Sequence, residues 1–313
     1  MKSKRPKKSK SERLHASWSQ VRIHQNLLKD RSRTLSYKRA IEDNVKDKDV
    51  VLDIGCGTGV LSFFAAKKGC RKIYSIDRAD IIDDAIKTAK LNDLEKDIKF
   101  IKEDILKFKP REKIDILIHE QFGSFVWNEN MISKVAYIRD NFLKKNGLII
   151  PYKVDLYLVP SSYKSDLEKS ISFWSREKYG INFSNLSVKV FIQNIKKAIG
   201  PSVINLRDAK TFLCKEKLIY TINLRKETKI PQKITSSFRL KKNSKLRGMC
   251  MYFKVSLDEN NVFSTRPKKS NTHWGQIFLP YSGKGMIKRD SFLSFTLFPK
   301  KEHEKWKFKF EII

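Results

Sequence analysis

A chain of 313 residues, 40% apolar and 32% charged, is long enough for about two domains and a sizeable core. Its longest apolar runs, such as Ile114–Ile118 and Leu148–Pro151, fall far short of the ~20 residues that cross a bilayer, so a transmembrane protein is excluded. Sixty-six Lys and Arg against 34 Asp and Glu leave a net charge of +32, split as +12 over residues 1–150 and +20 over residues 151–313.

Such a surface attracts polyanions: nucleic acid, ribosomes or acidic proteins. AT-rich coding would also favour Lys over Arg (17 of the 66), though it explains the shortage of acids less well, and both readings stay open. Cys56, Cys70, Cys214 and Cys250 are scattered, with no CxxC pair and no zinc spacing, so neither a disulfide framework nor a structural zinc is expected. A reducing, cytoplasmic setting fits. Residues 1–13 (MKSKRPKKSKSER) are basic, lack apolar period and lead into no apolar stretch. They read as a disordered tail rather than a secretory signal, either a nuclear-import or nucleic-acid-binding tail or a plain solvated terminus.

From Ile23 to Val45, apolar residues at loose helical spacing predict one or two helices. A strand–helix series follows. Val50–Ile54 is a strand ending in a glycine-rich turn; Leu61, Phe64 and Ala65 mark the next helix, which Gly69 stops. Strands are expected at Lys72–Asp77, Ile98–Ile101, Ile114–His119 and Gly147–Ile150, with helices at Asp80–Asn92 and Met131–Leu143. This alternation implies a doubly wound, Rossmann-like parallel sheet over residues 14–150. Past Pro151 the texture becomes alternating, at Val154–Val159, Lys217–Leu224, Gly248–Val255 and Phe292–Leu297, with helical signal mostly at about 163–178. Residues 151–313 therefore read as an antiparallel β-sandwich or β-barrel-like domain.

Two segments carry chemistry. In Asp53-Ile54-Gly55-Cys56-Gly57-Thr58-Gly59 a strand feeds a turn whose glycines let a ligand approach the backbone, with a helix N-terminus behind. Asp77, ending the next strand, suits a ribose diol. Val60 stands where a dinucleotide loop wants glycine, which disfavours a nicotinamide cofactor. In His119–Glu129, Glu120 and Glu129 bracket aromatics and a glycine at the carboxyl edge of a strand, where open α/β sheets place ligands.

The Asp-x-Gly-x-Gly loop resembles that of class I S-adenosylmethionine-dependent methyltransferases. The glutamate segment, with its nine-residue spacing, resembles the double-glutamate loop of the protein arginine N-methyltransferases. Three further blocks are similar to that family in its order: Ile23–Tyr37, containing IHQNLLKDRSRTLSY; Phe263–Pro267 with Thr272-His273-Trp274; and Trp174 with Tyr179–Ser184, like the start of its dimerisation arm. The resemblance spans about residues 18–300.

It implies methyl transfer to an arginine guanidinium, with S-adenosylmethionine as cofactor, a protein carrying an accessible arginine as substrate, and a homodimer joined through a helical arm near 163–200. Glu120 and Glu129 would clamp the guanidinium by charge-assisted hydrogen bonds. Arg33 would take the cofactor's carboxylate, and His24 would line its pocket. Gly55 and Gly57 would approach the methionine part, with Asp53 before them; Asp77 would bind the ribose and Asp104 the adenine side. His273 and Asp30 map to a His–Asp pair near the site, either catalytic or a structural hinge. Departures from the family pattern stand out. Leu14–Trp18 lacks the tyrosines of the YFxxY motif, and Gln121-Phe122 replaces Trp-Met. The acceptor pocket, shaped in this reading by Leu27, Phe122 and His273, then differs. A small guanidine or another nitrogen as acceptor, or an inactive nucleic-acid- or ribosome-associated relative, are the alternatives.

Overall fold

The computed structural model describes residues 18–127, 130–268, 272–283, 286–300 and 306–312, with the side chains of 195–199 set aside. The tail 1–13 lies outside them, as does Glu129. Helices α1 (Val21–Lys29) and α2 (Arg31–Asn44) precede a five-stranded sheet. Its strands are β1 (Val50–Ile54), β2 (Lys72–Asp77), β3 (Ile98–Lys102), β4 (Ile114–His119) and β5 (Leu143–Ile150), all parallel, in the order β3-β2-β1-β4-β5. Helices α3 (Val60–Lys68), α4 (Ile81–Lys90) and α5 (Met131–Asn141) connect them. The order reverses between β1 and β4, and a crevice opens at such a switch point, outside the carboxyl ends of the strands. That is where the glycine turn after β1 and Glu120 after β4 fall.

Local chemistry sets the helix ends. Asp30 caps α2 by accepting from Arg33 N–H, and Gly69, at φ 82°, closes α3 behind Lys67 and Lys68. The helix expected over Met131–Leu143 stops at Asn141. Phe142 leaves helical φ, at −130°, and its carbonyl accepts from Ile114 N–H, so Leu143 already begins β5.

The second half is antiparallel. Strands β6 (Lys153–Ser161), β7 (Ser202–Ile204), β8 (Lys217–Asn223), β9 (Ile234–Arg239), β10 (Gly248–Ser256), β11 (Val262–Ser264), β12 (Gln276–Pro280), β13 (Phe292–Phe298) and β14 (Lys307–Ile312) form two sheets. One runs β7-β12-β10-β6-β8 with β11 beside β10, and the other runs β14-β13-β9. Both share the main core with the parallel sheet, and a smaller apolar cluster of Val159, Ile204, Leu206, Cys250 and Phe278 lies apart from it within the antiparallel half. Between β6 and β7 stand α6 (Asp166–Trp174), opened by a Ser165–Glu168 capping box, and α7 (Ser184–Ile199). The periodicity alone placed the helical signal at about 163–178 and did not mark α7, which falls within the helical arm that the family resemblance implies near 163–200. Val188, Val190 and Ile192 alternate and are β-branched, which mimics a strand.

The halves clasp each other through polar and aromatic contacts. Arg139 Nη1 donates to the Leu224 and Glu227 carbonyls at 2.8 and 3.0 Å, and Asn261 Nδ2 donates to Asp43 at 2.7 Å. Trp274 meets Phe122 edge-on at 6.1 Å, and Phe263, stacked on Trp274, lies 6.1 Å from the Tyr37 ring. The four cysteines are free, no described helix is long and apolar enough to cross a membrane, and no described cluster could hold a metal ion.

Candidate active site at the switch point

Turning from β1 into α3 within five residues requires left-handed backbone, and Gly55, Gly57 and Gly59 adopt φ of 71°, 53° and 81°. A Cβ at Gly57 would lie 2.9 Å from the His24 ring, and one at Gly55 would strike the Gln121 side chain. Asp77 ties the turn down: its Oδ2 accepts from Gly57 N–H at 2.9 Å and its Oδ1 from Ala79 N–H at 2.8 Å. A cavity of about 350 Å³ results.

Of the residues picked from the sequence, His24, Arg33, Gly55, Gly57, Asp77, Asp104 and Glu120 line this one cavity. Arg33 Nη1 lies 2.9 Å from Glu120 Oε1, both largely buried. Sequence reasoning had given these two side chains to different ligands; here they hold each other. Burial alone would lower the Arg33 pKa, but Glu120 outweighs it and the net shift is upward. The Arg33 Nε remains buried without a hydrogen-bond partner.

Three expected residues lie elsewhere. Asp53 is sealed behind the turn, off the cavity wall, where it accepts from the Ser62 hydroxyl at 2.7 Å. Burial pushes its carboxyl up to about 7, against the Ser62 hydrogen bond. Asp30 and His273 stand behind Arg33. Asp30 Oδ1 accepts from Arg33 N–H at 3.0 Å, and its Oδ2 meets His273 N–H and Nδ1, each at 2.9 Å. Burial would raise the Asp30 pKa, but the His273 and Arg33 hydrogen bonds bring it below the ordinary carboxylate range. The pair joins the start of α2 to the loop before β12, which is the geometry of a hinge. Glu129 lies outside the described residues.

The acceptor pocket also departs from expectation. Leu27 lines the cavity, but Phe122 is fully buried between His119, Phe253 and Trp274 and anchors its loop to the β-half. Gln121 faces the cavity instead, held by Lys134 Nζ at 3.2 Å.

Sequence reasoning missed Trp18, Lys134 and Tyr37. Trp18 lines the cavity and offers its carbonyl to His24 Nε2 at 2.8 Å. The Tyr37 hydroxyl donates to the His119 carbonyl at 2.8 Å, fixing the backbone just ahead of Glu120. Only Tyr37 left a signal, as the aromatic residue closing the Ile23–Tyr37 block.

Two features fit this cavity to S-adenosylmethionine. The unpartnered, buried Arg33 Nε suits the carboxylate of its methionine part, and the glycine cradle admits a ligand that any Cβ would exclude.

The arginine methyltransferase oligomerization subdomain family matches residues 153–311, and the ribosomal protein L11 methyltransferase (PrmA) family matches residues 34–135. Protein arginine N-methyltransferase 6 of Danio rerio is 32% identical over 304 residues, covering 92% of this chain and 85% of its own. Protein arginine N-methyltransferase 1 of Dictyostelium discoideum is 31% identical, covering 90% and 82%. Among solved structures, the Trypanosoma brucei PRMT1 enzyme–prozyme heterotetrameric complex with AdoHcy has the same fold, with a TM-score of 0.77 at 24% identity over 95% of this chain and 94% of that one. The chain belongs to the protein arginine N-methyltransferases, enzymes that use S-adenosylmethionine to methylate arginine.

Proposed function

We propose that the chain methylates an arginine of a protein substrate by holding its guanidinium between Glu120 and Glu129, and that it works as a homodimer. The observation that carries the clamp is the Arg33–Glu120 pair: at the cavity wall, the Glu120 carboxylate already binds a guanidinium. Glu129 joins it through the nine-residue spacing of the loop. When bound, S-adenosylmethionine supplies a methyl group on a sulfonium. The protein's own part is positioning and charge. Glu120 orients the acceptor and draws positive charge from its attacking nitrogen, and orientation supplies much of such an acceleration. Phe122, wedged against Trp274, fixes the loop that carries Glu120. Asp30 and His273 keep the first turn of α2, and so Arg33, in register with the β-half.

The dimer rests on the arm. Phe173, Tyr179, Ile181, Val188, Phe191 and Ile192 are all exposed on α6, α7 and their connection. So much clustered apolar surface on a chain this polar calls for a partner. A second copy would cover it, as the match to an oligomerization subdomain supports.

Incubating the purified chain with methyl-labelled S-adenosylmethionine and cell lysate tests the reaction. Label recovered as methylarginine in protein bands is expected. Label confined to small molecules would favour a free guanidine as acceptor, and cofactor binding without transfer would sink the enzyme reading. Light scattering at micromolar concentration is expected to give a dimer; a monomer there defeats the second part.

A further inference from the structure

A second cavity, of about 340 Å³, opens where the start of α5 meets the loops before β9 and after β13. We propose that it is a subsite for the protein substrate, taking an aromatic side chain that neighbours an Asp or Glu close to the target arginine. This rests on the reading that the substrate is a protein. The cavity has an apolar lining of Met131, Ile132, Ile230, Pro231 and Pro299, the size and character for one large side chain. Trp127 also lines it, is 1% exposed, and carries a buried Nε1–H with no acceptor. An unmet buried donor of this kind is costly unless a ligand supplies an oxygen. Its ring is braced by Trp306, at 5.4 Å, whose own Nε1 donates to the Lys300 carbonyl at 2.8 Å.

The charge of the occupant follows from the rim. Lys229 and Lys300 border the cavity, and neither forms an ion pair among the described residues. The N-terminus of α5 also faces this region. Its first turn carries no acidic residue, and Asn130 at its N-cap gives no side-chain cap, since Asn130 Oδ1 is taken by the Ser133 hydroxyl at 2.7 Å. Such a terminus favours an anion. Asn130 lines both cavities, so a chain with its arginine in the first passes Asn130 to reach the second. An acidic neighbour also suits a protein of net charge +32, which repels the basic stretches that often surround arginine.

The test uses single-arginine peptides carrying Phe-Asp at increasing separations from the arginine, against the same peptides with Ser-Asn. At the right separation Phe-Asp is expected to raise kcat/KM roughly ten-fold, mainly through KM. Lys229→Glu with Lys300→Glu is expected to remove that gain and leave kcat on the Ser-Asn peptide unchanged. Ile230→Trp, which fills the cavity, is expected to remove it as well. Fluorescent copies with Lys in place of the arginine, read by anisotropy, are expected to show the same preference without turnover. Equal affinity for both peptide sets, or a preference that survives both variants, overturns the subsite. A preserved binding preference with no methylation of any peptide would overturn the arginine-transfer reading and leave the subsite standing.

Discussion

Strands β1 and β4 of the parallel sheet are buried along nearly their whole length, whereas β9 and β14 of the antiparallel half alternate buried or half-buried positions with exposed ones. The difference extends to function. In the first half the chemistry sits in backbone: a turn at positive φ, a switch point and a carboxylate at a strand end. In the second half it sits in surfaces: an arm, a hinge histidine and one wall of a second cavity, whose other wall is the start of α5. A steric insult should therefore read out differently in the two. Gly57→Val puts a side chain against His24 in a backbone conformation that disfavours it, and is expected to lower S-adenosylmethionine affinity at least ~100-fold by calorimetric titration. Gly248→Val, in β10, would meet the Leu279 carbonyl and Phe278 ring and is expected to depress thermal stability instead. Unchanged cofactor affinity in Gly57→Val would break the comparison.

Within the first half, Glu120→Gln sharpens it further. Turnover is expected to fall by about 100-fold, the range for losing an electrostatic partner of the transition state. Cofactor affinity should hold or rise, because the change frees Arg33 from its ion pair. Before ligand arrives, Arg33 is then a buried cation with a weaker partner, so the unliganded variant should melt lower. The cofactor-induced rise in Tm should accordingly exceed that of the parent chain. Near-normal turnover would refute the clamp.

What could be read from the residues divides along the same line. Strands buried on both faces give continuous apolar runs, so β1, β2 and β4 were legible. Where one face is wet, the signal fades: β14 reads Lys-Phe-Lys-Phe-Glu-Ile and β9 Ile-Thr-Ser-Ser-Phe-Arg, and neither was seen, nor was the short β12. The cavity residues that act through backbone or charge at fixed motif positions, Gly55, Gly57, Asp77, Arg33 and Glu120, were found. Gln121, Trp18 and Lys134 were not, because nothing local distinguishes a side chain that turns inward from one that does not. Phe122 shows the converse. Its place in the motif suggested the acceptor pocket, while its packing partners, Phe253 and Trp274, lie over a hundred residues away.

The hinge between the halves should be measurable. Asp30 caps α2 and binds His273 with the same carboxylate group, so Asp30→Ala is expected to cost about 2 kcal/mol and His273→Ala about 1 kcal/mol in urea unfolding. The double variant should fall short of their sum by on the order of 1 kcal/mol. Because the Asp30 carboxyl is held low, its contribution is complete above the ordinary Asp pKa and is lost as pH falls through the lower, folded value. Strict additivity in the cycle would mean that His273 and Asp30 do not act as one joint.

The smallest net effect is the hardest to see, because two groups at the ends of neighbouring strands oppose each other. His119 ends β4, fully buried; burial lowers its pKa to about 4, while its Nε2 bonds the Pro151 carbonyl at 3.1 Å. Between about pH 4 and 6.5 an unfolded His binds a proton that folded His119 refuses, so stability rises with pH across that window. Asp53, near the end of adjacent β1, is shifted the other way, up to about 7. From about pH 4 to 7 folded Asp53 keeps a proton that the unfolded chain releases, so stability falls as pH rises. Each contribution alone is on the order of 3 kcal/mol, and their opposite signs should leave the parent chain nearly flat. Asp53→Asn keeps an acceptor for the Ser62 hydroxyl and removes the falling component, so its urea midpoint should climb from about pH 4.5 to 6.5. His119→Asn removes the rising component, and its midpoint should drop over the same span. Other titrating groups contribute alike to both variants, so the divergence of the two profiles isolates this pair. Two parallel profiles would show that the chain does not hold a neutral His119 beside a protonated Asp53 under the switch point.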